Sequence, residues 1–356
     1  MLGVIFRTAI FGESHGKVIG AVVEGTPPGI RIDEQDIQRE LDKRRPGSTI
    51  YVSQRTEEDK VEILSGVFNG FTTGAPISMI VRNHDMDSRP YEEFSDIPRP
   101  GHADYVARMK YKGFNDFRGG GMFSGRMTAA LVMSGSIAKK ILLKYGVEVY
   151  SHLVSLGSIE APSSSIDEIR ENVYKNNVRC ANMEISERMT AYLKKVMDEG
   201  DSIGGIVETV LTNVPMGLGE PPIDSLEGDL AKAAFIIPAV KGIEFGAGFR
   251  LAKMKGSQSN DEYIIRGDKI AIRTNQQGGI NGGISNGMNI IFRVGIKPTP
   301  SIQKPQKSVN LKTMKETDLI IKGRHDPCVA IRAVPVMEAV TAIVLADHAL
   351  RWRSWS

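Results

Sequence analysis

Apolar positions along this 356-residue chain follow two rhythms, one with the period of a strand and one with that of a helix. Near the N-terminus, VIFRTAIFG (ending at Gly12) and AVVEG (ending at Gly25) predict two strands, with a Pro-Gly turn at Pro27 to Gly29 behind them. From Asp36 to Arg45, Ile37 and Leu41 recur on one face, which predicts an amphipathic helix. Arg126 to Tyr145 is rich in Ala, Met and Leu and closes on Gly146, so a mostly buried helix with a glycine just past its end is expected. A comparable helix is expected over roughly Ala333 to Arg351. The mixture is that of an α+β protein.

The same signals occur twice. Gly-Val-Phe-Asn69-Gly70-Phe-Thr-Thr-Gly74 precedes an apolar strand (ISMIV), and Gly-Ile-Asn281-Gly282-Gly-Ile-Ser-Asn-Gly287 precedes another (NIIFRV), 212 residues later. Arg118-x7-Arg126 leads into the first buried helix and Arg324-x7-Arg332 into the second, each arginine displaced by 206. A weaker echo sets Pro27 to Gly29 against Pro215 to Gly217, each before an amphipathic helix. Two features at nearly one offset predict a duplicated unit, about 1–150 and 205–350, with a charged helical insert at roughly 167–201 between its copies. A pseudo-twofold axis would then bring the two Arg-x7-Arg loops to one cleft.

Composition narrows the function. Forty-five basic and 42 acidic residues leave a net charge of +3, too balanced for a chain whose main partner is a nucleic acid. Cys180 and Cys328 form no CxxC pair, which disfavours a structural metal and points to a reducing compartment. With no signal-peptide pattern at the start and no apolar run near the ~18 residues that a span needs, no membrane is expected and the cytoplasm is the default.

Chemistry concentrates in glycine-rich loops. In Gly12-Glu13-Ser14-His15-Gly16 a histidine between small residues is able to approach a ligand and move a proton near neutral pH, or it is a capped turn with a surface histidine. The polar loop from Arg82 to Asp104 ends in Arg99-Pro100-Gly101-His102-Ala103-Asp104, where an arginine binding a phosphate bidentately and a histidine donating a proton suit a phosphate leaving group. His84 and His152 lack such company and read as surface or packing residues. Arg118-Gly-Gly-Gly121 and Ser124-Gly125-Arg126 lead into a helix whose N-terminus favours anions, yet neither GxGxxG nor a P-loop is present. Arg44 and Arg45 are either solvated complements to a helix end or part of the anion site. Lys322-Gly323-Arg324-His325-Asp326-Pro327-Cys328 gathers cations, an imidazole and a carboxylate, and it also reads as an Asp-Pro turn.

Taken together GESHG, Arg44-Arg45-Pro46-Gly47, SGVFNGFTTGAPI, RPGHADY, RGGG, GDSIGG, GLGEP, AVKGIEFG, GGINGGIS, KPTPS and GRHDPC resemble the chorismate synthases over essentially the whole chain. The resemblance implies a β-α-β sandwich with internal pseudo-symmetry, a homotetramer, and a lyase of the shikimate pathway. That lyase converts 5-enolpyruvylshikimate 3-phosphate to chorismate and phosphate by 1,4-anti elimination. It also implies reduced FMN as cofactor, with no net redox change and with NADPH at most an indirect source of electrons. By resemblance His15 keeps the reduced flavin correctly protonated, His102 is the acid near the departing group, and Asp326 relays the C6 proton through the flavin. Arg44, Arg99, Arg126 and Arg332 match substrate-binding positions. Ser124, Pro238, Ala239, Gly282, Lys297, Pro298, Thr299, Pro300, Ser301 and Arg324 match positions near FMN. The chain departs from the family pattern at Met122 and Phe123, where an arginine and a serine are usual, and at Ile50 and Gln277. A catalytically silent homologue and a flavin-independent phosphate lyase or phosphotransferase are the competing readings.

Overall fold

Two antiparallel sheets enclose a layer of helices, and each half of the chain supplies one sheet. The computed structural model describes residues 1–45, 58–84, 89–321 and 326–353. The first sheet holds β1 (Arg7–Gly12), β2 (Val18–Glu24), β3 (Val61–Ile63) and β6 (Ile77–Arg82) in the order β1-β2-β6-β3, with β4 (Val67–Phe68) and β5 (Phe71–Thr72) as a hairpin between β3 and β6. On β2, Ile19, Ala21 and Val23 are buried at the strand period of two. Helix α1 (Glu34–Arg44) starts at Asp33, whose carboxylate accepts from the Asp36 N–H while the Asp36 side chain returns the bond, a reciprocal cap. Helices α2 (Asp104–Lys110) and α3 (Thr128–Leu143) complete this half.

The second half begins with β7 (Glu148–Leu156), β8 (Ile159–Glu160), α4 (Ile166–Asn172), α5 (Met183–Asp198), β9 (Gly205–Thr212), α6 (Leu226–Ala234) and β10 (Val240–Phe245). It continues through α7 (Gly256–Ser259), β11 (Tyr263–Arg266), β12 (Lys269–Ile272), β13 (Ile280–Asn281), β14 (Ile284–Ser285) and β15 (Ile290–Ile296). A separate hairpin, β16 (Gln306–Asn310) and β17 (Lys315–Leu319), precedes the closing helix α8 (Ala330–Arg353). The second sheet runs β10-β15-β9-β7-β8. Each half thus reads strand, strand, helix, strand, hairpin, strand, helix, and β7-β9-β15-β10 repeats the order β1-β2-β6-β3.

Two details of the repeat differ from the sequence reading. β7 pairs with β9, so the charged helices α4 and α5 fall between the first two strands of the second half. The β4–β5 turn is Asn69-Gly70, whereas the β13–β14 turn is Gly282-Gly283, both pairs at positive φ as a tight two-residue hairpin demands; the structural match is therefore one residue off the Asn-Gly alignment.

Helices α3 and α8 form the middle layer and are apolar nearly all round, because both faces are covered. A Cβ at Gly135 would meet the Ala339 backbone, so this glycine sets how closely the two helices pack. Ala330–Trp352 is long and apolar enough to cross a membrane by length and composition, but its apolar window is wholly buried, as befits a core helix. Lys139 on α3 joins Glu40 on α1 (2.6 Å) and Glu338 on α8 (2.7 Å). Burial opposes its charge, yet the two carboxylates hold its pKa above the usual lysine value. The chain ends are tied together: Asp347 Oδ1 accepts from the N–H groups of Val4 (2.9 Å), Ile5 (2.6 Å) and Phe6 (2.8 Å).

Candidate active site

Loops of the two halves meet around a cavity of about 510 Å³, within the usual range for small-molecule sites. Ser14, Tyr91, Arg99 to Ala103 and Gly119 to Arg126 line it from the first half, except Pro100, Gly120 and Gly121; Phe235, Ile236, Pro238, Ala239, Lys297, Thr299 to Ser301, Asp326, Val329 and Arg332 line it from the second.

The triple glycine is threaded between the two histidines singled out in the sequence. Gly119, Gly120 and Gly121 take φ of 57°, 85° and 52°, a run of left-handed backbone that only glycine tolerates well. A Cβ on Gly119 would overlap the His15 ring, and one on Gly120 would lie 3.3 Å from His102 Cε1. Ser14 N–H donates to the Gly121 carbonyl (3.2 Å), locking the loop to the GESHG segment. His15 is buried, with its ring edge-on to Tyr91 at 5.0 Å. It is thus no surface histidine in a turn.

At His102 the guanidinium of Arg99 is engaged within the chain. Arg99 Nε and Nη2 both donate to Asp104, at 2.8 Å each, and its backbone N–H adds a third bond at 3.0 Å. The fork is therefore filled from within, and Nη1 turns instead to Ser301 Oγ (3.3 Å) in the other half. The same Asp104 carboxylate lies 2.6 Å from His102 Nδ1. Burial works against ionising Asp104, but the bonds from Arg99 and His102 hold its carboxyl well below the usual range.

Behind this group lies a buried arginine cluster. Arg44 is almost fully buried and so is no solvated complement to the helix end, while Arg45 remains partly exposed and pairs with Asp42 at 3.4 Å. Arg44 donates to Thr128 Oγ1 (3.0 Å), Asp59 Oδ2 (3.1 Å) and the Gly125 carbonyl (2.9 Å). Asp59 also accepts from Arg126, which reaches Asn83 Oδ1 at 3.0 Å. Arg332 donates to Asp326 Oδ2 (2.8 Å). Burial first, then repulsion from Arg332, pushes Arg44 down to about 9, with Asp59 opposing the shift. Three guanidinium groups thus face two carboxylates, and the surplus positive charge suits a polyanion.

Apolar side chains share the lining: Met122, Phe123, Phe235 and Ile236. At its rim Lys297 Nζ donates to the Gly101 carbonyl (2.6 Å), while burial and nearby Lys241 lower its pKa. Lys297 N–H donates to the carbonyl of Ala239 (2.9 Å), itself at φ 73°, so the 235–239 and 297–301 loops form one unit.

Of the residues expected at the site, Arg99, His102, Ser124, Arg126, Pro238, Ala239, Lys297, Thr299, Pro300, Ser301, Asp326 and Arg332 line the cavity. His15 and Arg44 stand directly behind its wall, and Pro298 sits within the lining loop. Gly282 is at the exposed tip of the β13–β14 hairpin, outside the lining. Arg324 and Ile50 lie outside the described residues. Arg118 pairs with Asp116, at 2.8 Å through both Nε and Nη2, and among the described residues of the two Arg-x7-Arg pairs Arg126 and Arg332 line the cleft. The sequence reading passed over Asp104 as a partner, although an Asp two residues after a histidine at a helix start is a usable signal; it also missed Asp59 and Tyr91, for which local sequence carries none.

A family model described as chorismate synthase matches residues 6–350. The chain belongs to the chorismate synthase family. It is 56% identical over 345 residues to a chorismate synthase of Korarchaeum cryptofilum, covering 97% of this chain and 96% of that one. It is 53% identical over 349 residues to one of Aeropyrum pernix, covering 97% and 91%. A chorismate synthase crystal structure, 31% identical, superposes with a TM-score of 0.77 over 98% of this chain and 93% of that one, so the family's fold extends through both sheets and the helix layer.

Proposed function

We infer that the chain is a lyase that eliminates phosphate from 5-enolpyruvylshikimate 3-phosphate, giving chorismate. The C6–H and C3–O bonds break, a second ring double bond forms, and phosphate leaves with the C–O electron pair, so nothing is oxidised or reduced overall. The observation that carries this reading is a single cavity lined by Arg126, Arg332, Asp326 and His102 together with Met122, Phe123, Phe235 and Ile236.

The substrate is a polyanion, and Arg126 and Arg332, with Arg44 behind them, supply the charge that draws and orients it. His102, within reach of the cavity, donates a proton as the phosphate departs. Asp326, oriented by Arg332, is the chain's own terminal acceptor for the C6 proton. His15 is held between Tyr91 and the glycine loop, where it controls protonation at the cofactor rather than touching the leaving group.

The cavity suits reduced FMN. Left-handed Gly119 brings backbone to its wall, where a Cβ would strike His15 and Ser14, and Met122, Phe123, Phe235 and Ile236 offer an apolar lining for a flat ring. Ser124, Pro238, Ala239 and Lys297 to Ser301 would hold it. When bound, the reduced flavin supplies electron density to the allylic system and recovers it. Because no electrons are consumed per turnover, a nicotinamide-dependent reductase acting occasionally suffices as their source.

A homotetramer is supported by the β11–β12 hairpin, whose Tyr263, Ile265 and Ile270 leave one apolar face exposed. A reducing, cytoplasmic setting is supported by the two buried, unpaired cysteines. The activity is tested by an anaerobic assay with 5-enolpyruvylshikimate 3-phosphate and chemically reduced FMN: equal yields of chorismate and phosphate are expected, and absence of both rejects the reading.

A further inference from the structure

We propose that Asp104 is a positioning residue for the elimination: it fixes the tautomer of His102 so that Nε2 is the nitrogen available to the cavity, and it holds Arg99 in the orientation that bridges the two halves. The inference rests on the role given to His102 above.

The geometry decides which His102 nitrogen carries the proton. A carboxylate oxygen and a ring nitrogen 2.6 Å apart need a hydrogen between them, since two lone pairs at that distance repel. Asp104 is also an acceptor only, because Arg99 reaches both of its oxygens. The hydrogen therefore sits on Nδ1, and Nε2 is left as the nitrogen that takes up and delivers a proton. Arg99 Nη2 lies 3.1 Å from the same Nδ1, so two donors converge on Oδ1 of Asp104 instead of bonding to each other. Removing the carboxylate disturbs both partners at once, which is why the test must separate them.

Asp104→Asn retains the shape but leaves one acceptor atom. Its amide nitrogen avoids the Oδ2 place, where the backbone N–H and Nε of Arg99 both donate, and takes the Oδ1 place. There it donates to His102 Nδ1, which moves the imidazole hydrogen to Nε2. In a serine protease the equivalent aspartate-to-asparagine change misplaces the tautomer and lowers turnover by about 10⁴, which sets the scale.

The experiment uses full-length protein labelled with 15N-histidine, with the ring nitrogens observed by long-range 15N–1H correlation and kinetics measured with reduced FMN. In its neutral form, observed at high pH, native His102 should carry its hydrogen on Nδ1 and leave Nε2 bare, the site that gains the transferable proton when the ring is protonated. Asp104→Asn should show the reverse and lose about 10²- to 10⁴-fold in kcat with KM within about threefold. Asp104→Glu should restore part of the loss. Arg99→Met, which leaves the Asp104 to His102 contact in place, should keep the native tautomer and move KM more than kcat. An unchanged tautomer in Asp104→Asn, or the same kinetic profile for Asp104→Asn and Arg99→Met, would overturn the proposal. His102→Gln separates this from the parent reading: native turnover in that variant rejects His102 as the acid while the tautomer result still judges Asp104.

Discussion

Two clusters of histidine, arginine and aspartate among the described residues make a contrast: one borders the cleft and the other lies away from it. At the cleft, Asp104 binds both Arg99 and His102. At the end of α8, His348 Nε2 lies 3.0 Å from Asp229, and Arg351 pairs with Asp347 at 2.7 Å and Asp224 at 3.1 Å. The second cluster has the same ingredients and different duties: Asp347 also anchors the backbone of residues 4–6, and burial, with Arg351 adding to it, pushes the His348 pKa down. A histidine bonded to a carboxylate is thus a structural element or an acid depending on what its other nitrogen faces. His152, fully buried and 3.2 Å from Glu208 in the second sheet, belongs with the structural kind.

Substitutions sharpen the contrast. Asp59→Ala should have the largest effect on folding, about 3–5 kcal/mol in denaturant unfolding, because it leaves Arg44 and Arg126 buried without their shared carboxylate; KM should rise as well. Asp347→Ala, in the cluster away from the cleft, removes the acceptor of three backbone N–H groups and should cost about 3 kcal/mol, with kcat per folded enzyme unchanged. Gly119→Ala forces a side chain into left-handed backbone and onto His15, costing about 2 kcal/mol and weakening flavin binding measured by fluorescence quenching.

The smallest effect is a pH dependence. His348 has a lower pKa folded than unfolded, so the unfolded chain binds more protons as pH falls through the ordinary histidine value of about 6.5, and stability should drop there. His348→Gln should flatten that part of the stability curve, and an unaltered slope would assign the effect elsewhere.

Much of the fold was legible because it rests on local rules. Ile37 and Leu41 on one face of α1, and Gly146 just past the end of α3, each act within a few residues. The duplicated motifs pointed to a repeat, whereas β7 pairs with a strand some fifty residues on and nothing in its own sequence reveals that partner. At the site, residue types that must be near a ligand were readable: His102 with Arg99, and the triple glycine. The partners that decide what those residues do were not, since Asp59 comes from a distant segment and Arg44 differs from Arg45 only in the face it buries.

The most direct test of the account compares His102→Gln with His152→Gln in an anaerobic single-turnover assay with reduced FMN and 5-enolpyruvylshikimate 3-phosphate, following chorismate and phosphate together. The account predicts that His102→Gln loses about 10²- to 10⁴-fold in the rate of product formation while still binding FMN, and that His152→Gln stays within about twofold of native. Native turnover by the His102 variant, or an equal loss in both, would contradict it.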